Sequence, residues 1–131
     1  MTPERTDDRV FYAVLALLFG HELDAVARHE WRLLPVLRSL PDGLAGRLFV
    51  ALHVPLFLVL FRLVTHPSSR VRRRSRLVIG VFAVIHAGLH AWFDGHPDDE
   101  FGGATSRGLI HGAALAGLAY LLRSGRTGRV A

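Results

Sequence analysis

The sequence predicts an all-α protein, an antiparallel bundle of four transmembrane helices that forms one domain over residues 1–131. Half of the residues are hydrophobic, and the charged residues gather in short clusters that separate four apolar runs. Each run approaches the roughly 20 residues that a membrane-spanning helix needs. The predicted spans are residues 10–27, 44–65, 77–94 and 107–122, with a short interfacial segment between the first two.

The charge composition supports a membrane location. The net charge of +5 comes entirely from arginine, and the arginines lie at the ends of the apolar runs rather than in a stripe along one face. Nucleic-acid-binding surfaces have such stripes, so we expect no nucleic-acid partner. The chain has no cysteine, which excludes disulfides and thiolate metal ligands.

The first run, Val10 to Ala27, begins as an apolar helix and becomes polar at His21, Glu22 and Asp24. On a helix that advances about 100° per residue, Asp24 lies about 60° from His21, so the two side chains can share one seam. Glu22 points to the other side, where it would face a neighbouring helix, an arginine or a supporting imidazole. The alternative is a helix end whose polar groups meet water at the membrane interface.

A cleaved signal peptide is another interpretation of this run, because the stretch Ala25 to Ala27 resembles a cleavage site after an apolar core. The acidic residues Glu4, Asp7 and Asp8 precede the run, and three further ionisable residues precede the cleavage site. Both features are foreign to signal peptides, so we expect the run to stay as the first span.

The stretch between the first two spans, His29 to Pro41, is amphipathic and is interrupted by Pro35. This pattern predicts a segment lying at the membrane interface, with Trp31 as an anchor. Further along, His66 to Arg76 contains five arginines after turn-forming residues and predicts a basic loop.

The arginines also predict the orientation of the chain. With four spans, the basic loop lies on the same side as the N-terminus and the C-terminal Arg123, Arg126 and Arg129. The positive-inside rule places this side in the cytoplasm. We therefore expect a multi-pass protein of the cell membrane with both termini cytoplasmic.

Histidines occur inside the apolar runs. His86 and His90, in the third run, are spaced i and i+4 and share one helix face. His53, in the second run, lies two residues before Pro55. Buried imidazoles are costly unless something binds them, and a metal ion is a common partner. His111 in the fourth run is expected to pack or to support a ligand.

Depth in the membrane links these residues. Counted inward from the outer end of each span at 1.5 Å per residue, the intramembrane histidines lie about 6–13 Å deep. All of them fall in the outer half, which predicts one outward-facing site made by His21, His53, His86, His90 and His111. In the loop above it, His96 and Glu100 are candidates to cap the site.

The sequence contains HELDAVARHEWR at His21 to Arg32, HVPLF at His53 to Phe57, and HAGLH at His86 to His90. These motifs resemble those of a family of small uncharacterised bacterial integral-membrane proteins. GHP followed by Glu100 and Phe101 belongs to the same pattern. The resemblance runs from about Phe11 to Tyr120 and implies a membrane protein with these polar residues at its site.

A more remote similarity is to HXXEE-domain membrane proteins, which pair a histidine–acid motif on an early helix with a later pair of histidines. This sequence departs from that motif, because Asp24 stands at its fourth position and Ala25 replaces the second acid. Neither resemblance implies a reaction.

Together, these residues predict an intramembrane metalloenzyme. His53, His86 and His90 would hold one Zn²⁺ through three imidazoles, with His21 as a fourth or alternative ligand. Asp24 would position or deprotonate a water molecule on the ion. This inventory suits hydrolysis of a lipid-borne amide or ester.

Other interpretations stay open at this point. Glu22 is a second candidate catalytic carboxylate, and adding Glu22 or Glu100 would permit a dinuclear iron site for oxidation. A non-enzymatic protein that binds or transports metal ions or protons, and a bundle specified by hydrogen-bonded histidines, are the alternatives. The expected partners are membrane lipids and a lipid-like substrate, and the small residues of the fourth span permit a homo-oligomer.

Overall fold

The computed structural model describes residues 3–127. This part of the chain is all-α, as predicted, and contains no strand. Its four long helices are α1 (Pro3–Ala27), α2 (Asp42–Val64), α3 (Ser69–Phe93) and α4 (Ala104–Thr127). Two 3₁₀ helices, Glu30–Arg32 and Leu37–Ser39, occupy the connecting segment between α1 and α2, residues 28–41.

Three of the helices in this part of the chain are long and apolar enough to cross a membrane, namely Asp8–Ala27 of α1, Asp42–Val64 of α2 and Ser69–Phe93 of α3. This supports a membrane protein. Helix α4 is as long, but it is not among these candidates, so a fourth span over residues 107–122 stays a prediction. The same holds for the antiparallel bundle and for the orientation, which relied partly on Arg129, a residue outside the described range.

Helices α1, α3 and α4 pack closely, with α4 in contact with both of the others. Gly117 permits the closest approach, since a Cβ atom there would lie 2.8 Å from the backbone oxygen of Gly80. The core around this contact is apolar and is fully buried at Phe11 and Val14. Small residues in α4 therefore serve helix packing within the chain.

Helix α2 is attached more loosely. It contacts α3 and the connecting segment and touches α1 little, and it continues through Pro55 without ending. Most of its leucines and valines are exposed on the protein surface. A bilayer would cover this apolar face.

The stretch from His66 to Arg76 differs from the predicted loop, because α3 begins at Ser69 and includes most of it. Arginine is a good helix former, and no helix-breaking residue follows Pro67, so the helix extends past the apolar run. Arg73 donates to the backbone oxygen of Ser124 at 3.2 Å, and Arg76 bonds to Asp8. These arginines tie the ends of α1, α3 and α4 together.

Trp31 also differs from the prediction. It is buried in a cluster of the core, so its ring packs inside the protein instead of projecting outward as an anchor. Its indole N–H donates to Asp42 at 2.9 Å, and Gly46 leaves room for the ring, since a Cβ there would lie 3.0 Å from it. The tryptophan therefore fixes the connecting segment against the start of α2.

Candidate metal centre

Three imidazoles and one carboxylate converge beneath the connecting segment. His21 comes from α1, Glu30 from the first 3₁₀ helix, and His86 and His90 from α3. Each offers one ligand atom, and the four atoms lie within 4.8 Å of one another. The Nε2 atoms of His21 and His86 are 2.8 Å apart. The Glu30 carboxylate lies 3.5 Å from Nε2 of His21 and 3.8 Å from Nε2 of His90.

The three rings form a compact triangle that is shielded from water. The ring centroids of His21, His86 and His90 are 4.7–5.0 Å apart. Phe101 covers the triangle, 4.6 Å from the His90 ring and 5.6 Å from the His21 ring. His21 is fully buried, so an ion held here would be largely removed from solvent.

An unusual backbone conformation at His29 brings Glu30 to this position. His29 ends the turn after α1 with φ 54° and ψ 41°, the left-handed region that few non-glycine residues adopt. The chain thereby reverses, and Glu30 returns towards α1 and α3. Glu100 lies 3.2 Å from Nδ1 of His29 and accepts a bond of 3.2 Å from Arg32. These polar contacts fix the reversal from both sides.

The electrostatics of Glu30 favour its charged form. Burial alone would raise the pKa of this carboxyl. The interaction with His21 and the proximity of His86 and His90 outweigh burial and hold the pKa of Glu30 below its usual value. Glu30 therefore places a carboxylate charge beside three imidazoles, a set of donors that suits a divalent cation.

The spacing of the ligand atoms suits a metal ion. A tetrahedral zinc site with bonds of about 2.0–2.1 Å has ligand atoms about 3.3–3.4 Å apart. The contacts of 2.8 Å between His21 and His86 and 3.5 Å between His21 and Glu30 bracket this separation. The widest separation, within 4.8 Å, needs a side-chain movement of about 1 Å to reach it. The four residues could therefore hold a metal ion.

A second histidine–carboxylate contact lies beside the first. Nε2 of His53 is 2.8 Å from Oε2 of Glu22, and its Nδ1 is 2.6 Å from the backbone oxygen of Phe49. The carbonyl can only accept, so Nδ1 carries a hydrogen. The contact between Nε2 of His53 and Glu22 then contains one proton, which is bound either to Glu22 or to Nε2. Glu22 thus faces a neighbouring helix and an imidazole, one of the arrangements expected for it.

The structure brings together only some of the residues selected from the sequence. His21, His86 and His90 belong to the four-residue cluster, whereas His53 lies on α2 with both ring nitrogens bonded elsewhere. Asp24 is also outside the cluster. One of its oxygens lies 3.5 Å from Nε of Arg28. The other is buried without a hydrogen-bond partner within the described part of the chain.

Loop and α4 residues take other positions. Glu100 bonds to His29 and Arg32 rather than to the cluster. His96 lies 3.8 Å from Asp98 in its own loop, and His111 is exposed on α4. None of these three belongs to the four-residue group.

Glu30 was not among the site residues predicted from the sequence, because its amphipathic surroundings predicted a segment lying at the membrane interface. One signal was present. Glu30 is the only acidic residue between Asp24 and Asp42, in a connecting segment that otherwise holds apolar and basic residues. Glu30 reaches the cluster because His29 adopts a left-handed backbone conformation. Residues other than glycine rarely adopt this conformation, so the sequence does not predict it.

A cavity of about 370 Å³ adjoins both histidine–carboxylate groups and lies between α2 and α3. The polar residues on its wall come from the two groups, and the rest of the wall is leucine and phenylalanine. The polar wall residues are Glu22, Glu30, His53, His86 and His90.

The helices and the buried cluster define a class of protein, a helical membrane protein with a histidine- and glutamate-lined cavity. The chain belongs to the family of unknown function DUF6713, whose model matches residues 7–127. This agrees with the resemblance to an uncharacterised family. Comparison with curated proteins and with solved structures gives no match.

Proposed function

We propose that this membrane protein holds one divalent metal ion, Zn²⁺ or alternatively iron, through His21, Glu30, His86 and His90. We further propose that it hydrolyses an ester or amide of a membrane-associated substrate. The observation that carries the proposal is the convergence of four ligand atoms, mostly buried, within 4.8 Å. Three separate elements supply these atoms, and the two ligands on α3 lie more than 50 residues after the other two, which is typical of a site and unusual for incidental packing.

A bound zinc ion would polarise the substrate carbonyl and make water more acidic. A catalytic zinc site keeps one coordination position open. Among the four ligands, Glu30 is best suited to yield a position, because it lies on a single 3₁₀ turn whereas the histidines lie on long helices. In this arrangement the Glu30 carboxylate accepts a proton from the attacking water.

Hydrolysis also requires a proton for the leaving group. The water oxygen forms a bond to the acyl carbon, the acyl C–O or C–N bond breaks, and the departing atom takes a proton. The pair Glu22 and His53 lines the same cavity and shares one proton in its contact of 2.8 Å. We assign this pair the role of proton donor, and Asp24 a positioning role beside His21.

Metal analysis of the purified protein tests the proposal. We expect about one zinc or iron ion per chain after purification in detergent without chelator, and loss of that metal in His86→Ala and in His90→Ala. His111→Ala is a matched control, because His111 is an exposed helical histidine. It should keep the metal. Wild-type protein without metal would contradict the proposal.

One observation favours a second candidate. The contact of 2.8 Å between Nε2 of His21 and Nε2 of His86 is also a normal hydrogen-bond distance if one of the two nitrogens is protonated. In that case the histidines specify packing and hold no ion. His86→Ala would then lower the melting temperature equally with and without a chelator. A metal site predicts that the chelator lowers the melting temperature of the wild type alone.

A further inference from the structure

We infer that the cavity between α2 and α3 binds one acyl chain of a membrane lipid, which enters sideways from the bilayer with its carbonyl end at the metal centre. This inference names the substrate class of the proposed hydrolase and rests on that function. Four features of the cavity support it: its lining, its length, its opening and the position of its polar groups.

The lining is almost entirely apolar apart from the two histidine–carboxylate groups. Leucines project from α2, from α3 and from the connecting segment, and three phenylalanines complete the apolar wall. A polar headgroup or a sugar would find no partners along these walls, whereas a hydrocarbon chain would. The apolar lining consists of Leu33, Leu34, Leu37, Phe49, Leu52, Leu56, Phe82, Leu89 and Phe93.

The dimensions suit a single chain. The lining residues on α3 run from Phe82 to Phe93, a rise of about 16 Å at 1.5 Å per residue. His86 and His90 lie about 6 Å and 12 Å from the Phe82 end of this stretch, so the cavity encloses the part of an acyl chain next to its carbonyl. The volume of about 370 Å³ lies at the small end of the roughly 300–1,000 Å³ of ligand pockets. It therefore favours one chain over a whole two-chain lipid.

The cavity opens towards the bilayer, because α2 stands away from the other helices. Leu52 and Leu56 on its α2 wall are 56% and 54% exposed, and Leu89 on its α3 wall is 50% exposed. Both helices are apolar enough to cross a membrane. Side chains that are exposed and also line the cavity mark a lateral entrance from lipid, where an acyl chain already lies parallel to the helices.

The polar groups of the cavity occupy a limited region. On α2 the only polar lining residue is His53, and on α3 they are His86 and His90. Glu30 approaches from the connecting segment above. A molecule with an apolar tail and one carbonyl group matches this distribution, since its carbonyl meets the metal centre while its tail fills the leucine-lined space. A long-chain ester or amide has this form.

Photochemical labelling tests the inference. Full-length protein is reconstituted in phosphatidylcholine vesicles that carry a diazirine in one acyl chain, and labelled peptides are identified by mass spectrometry. We expect labelling of residues facing the cavity on α2 and α3. Leu56→Trp and Leu89→Trp fill the cavity from opposite walls and should abolish this labelling while the metal content stays unchanged.

Leu58→Trp is the matched control. Leu58 is on α2, is 66% exposed and does not line the cavity, so this substitution should leave cavity labelling intact. Equal labelling of all exposed faces in wild type and variants would overturn the inference. Cavity labelling in a protein that binds no metal would support the acyl-chain site and contradict the proposed hydrolase, so the two failures are distinguishable.

Discussion

Helices α1 and α2 differ in the way they are held, and the difference separates the two parts of the proposed site. Helix α1 packs tightly on α4, and it supplies His21, which is fully buried. Helix α2 is mostly exposed and supplies His53, which is joined to α1 through the 2.8 Å contact with Glu22. In our proposal the closely packed helices α1, α3 and α4, the tight part of the molecule, hold the ion. Helix α2, the loose part, controls access to it. Changes in the metal ligands and in the packing of the tight part should affect metal binding and stability, whereas changes at the contact between the two parts should affect activity alone.

The largest effect is expected from the contact between Glu22 on α1 and His53 on α2, which joins the two parts. Glu22→Gln and His53→Phe remove the shared proton, so hydrolysis should fall by about 10²–10⁴-fold, the usual contribution of general acid–base catalysis. Metal content should stay at the wild-type level. Turnover of a fluorogenic long-chain ester, with metal measured on the same samples, checks this prediction. Joint loss of metal and turnover would place His53 among the ligands, as the sequence had suggested.

Two carboxylates, one within the cluster and one beside it, should give the next largest effects. Asp24→Asn should keep the metal and lower turnover, because Asp24 lies outside the four-residue cluster and its proposed role is to position the groups of the site. Glu30→Gln should lower metal affinity by more than the roughly 10–100-fold typical of changes around the ligands. Competition with a zinc-binding dye gives both affinities. Unchanged affinity in Glu30→Gln would remove this residue from the ligand set.

Helix packing gives a smaller effect. Gly117→Ala should destabilise the protein by about 1–3 kcal/mol, the usual cost of overpacking, because the new Cβ would lie 2.8 Å from the oxygen of Gly80. Gly88→Ala on α3 is the control, since a Cβ there meets nothing within 4 Å. Thermal unfolding in detergent compares them. Equal melting temperatures would show that α3 and α4 are less tightly packed than described.

The smallest effect concerns the connecting segment. Trp31→Phe loses the hydrogen bond to Asp42 and should cost about 1 kcal/mol. Trp92→Phe should cost nothing measurable, because Trp92 is 84% exposed. Equal melting temperatures of the two variants would show that Trp31 is not held in the core, and would favour the membrane anchor that the sequence predicted.

The sequence was sufficient to predict the helices, because apolar runs bounded by arginine and turn residues determine them. It misplaced the start of α3, since arginines flank a membrane span equally well as loop or as helix. Burial of Trp31 was also missed, because the room left by Gly46 is a property of two elements together.

The candidate site was partly predictable from the sequence for similar reasons. His21, His86 and His90 were selected because buried imidazoles are costly, and the structure brings them into contact. Glu30 was not predicted as a ligand, because its position depends on the chain reversal at His29. That reversal depends on contacts with Glu100, in a loop about 70 residues later. His53 contacts Glu22 instead of joining the cluster because α2 stands apart from the cluster. Hydropathy gives no information on the distance between helices.

X-ray absorption spectroscopy of the purified protein, at the edge of the metal it contains, tests the central claim most directly. We predict a first shell of nitrogen and oxygen atoms at about 2.0–2.2 Å with the multiple scattering of three imidazoles. The signal should be lost together with the metal in His90→Ala and stay unchanged in His53→Phe. An intact three-imidazole signal in His90→Ala, or a wild-type shell with fewer than three imidazoles, would contradict a centre built from His21, Glu30, His86 and His90.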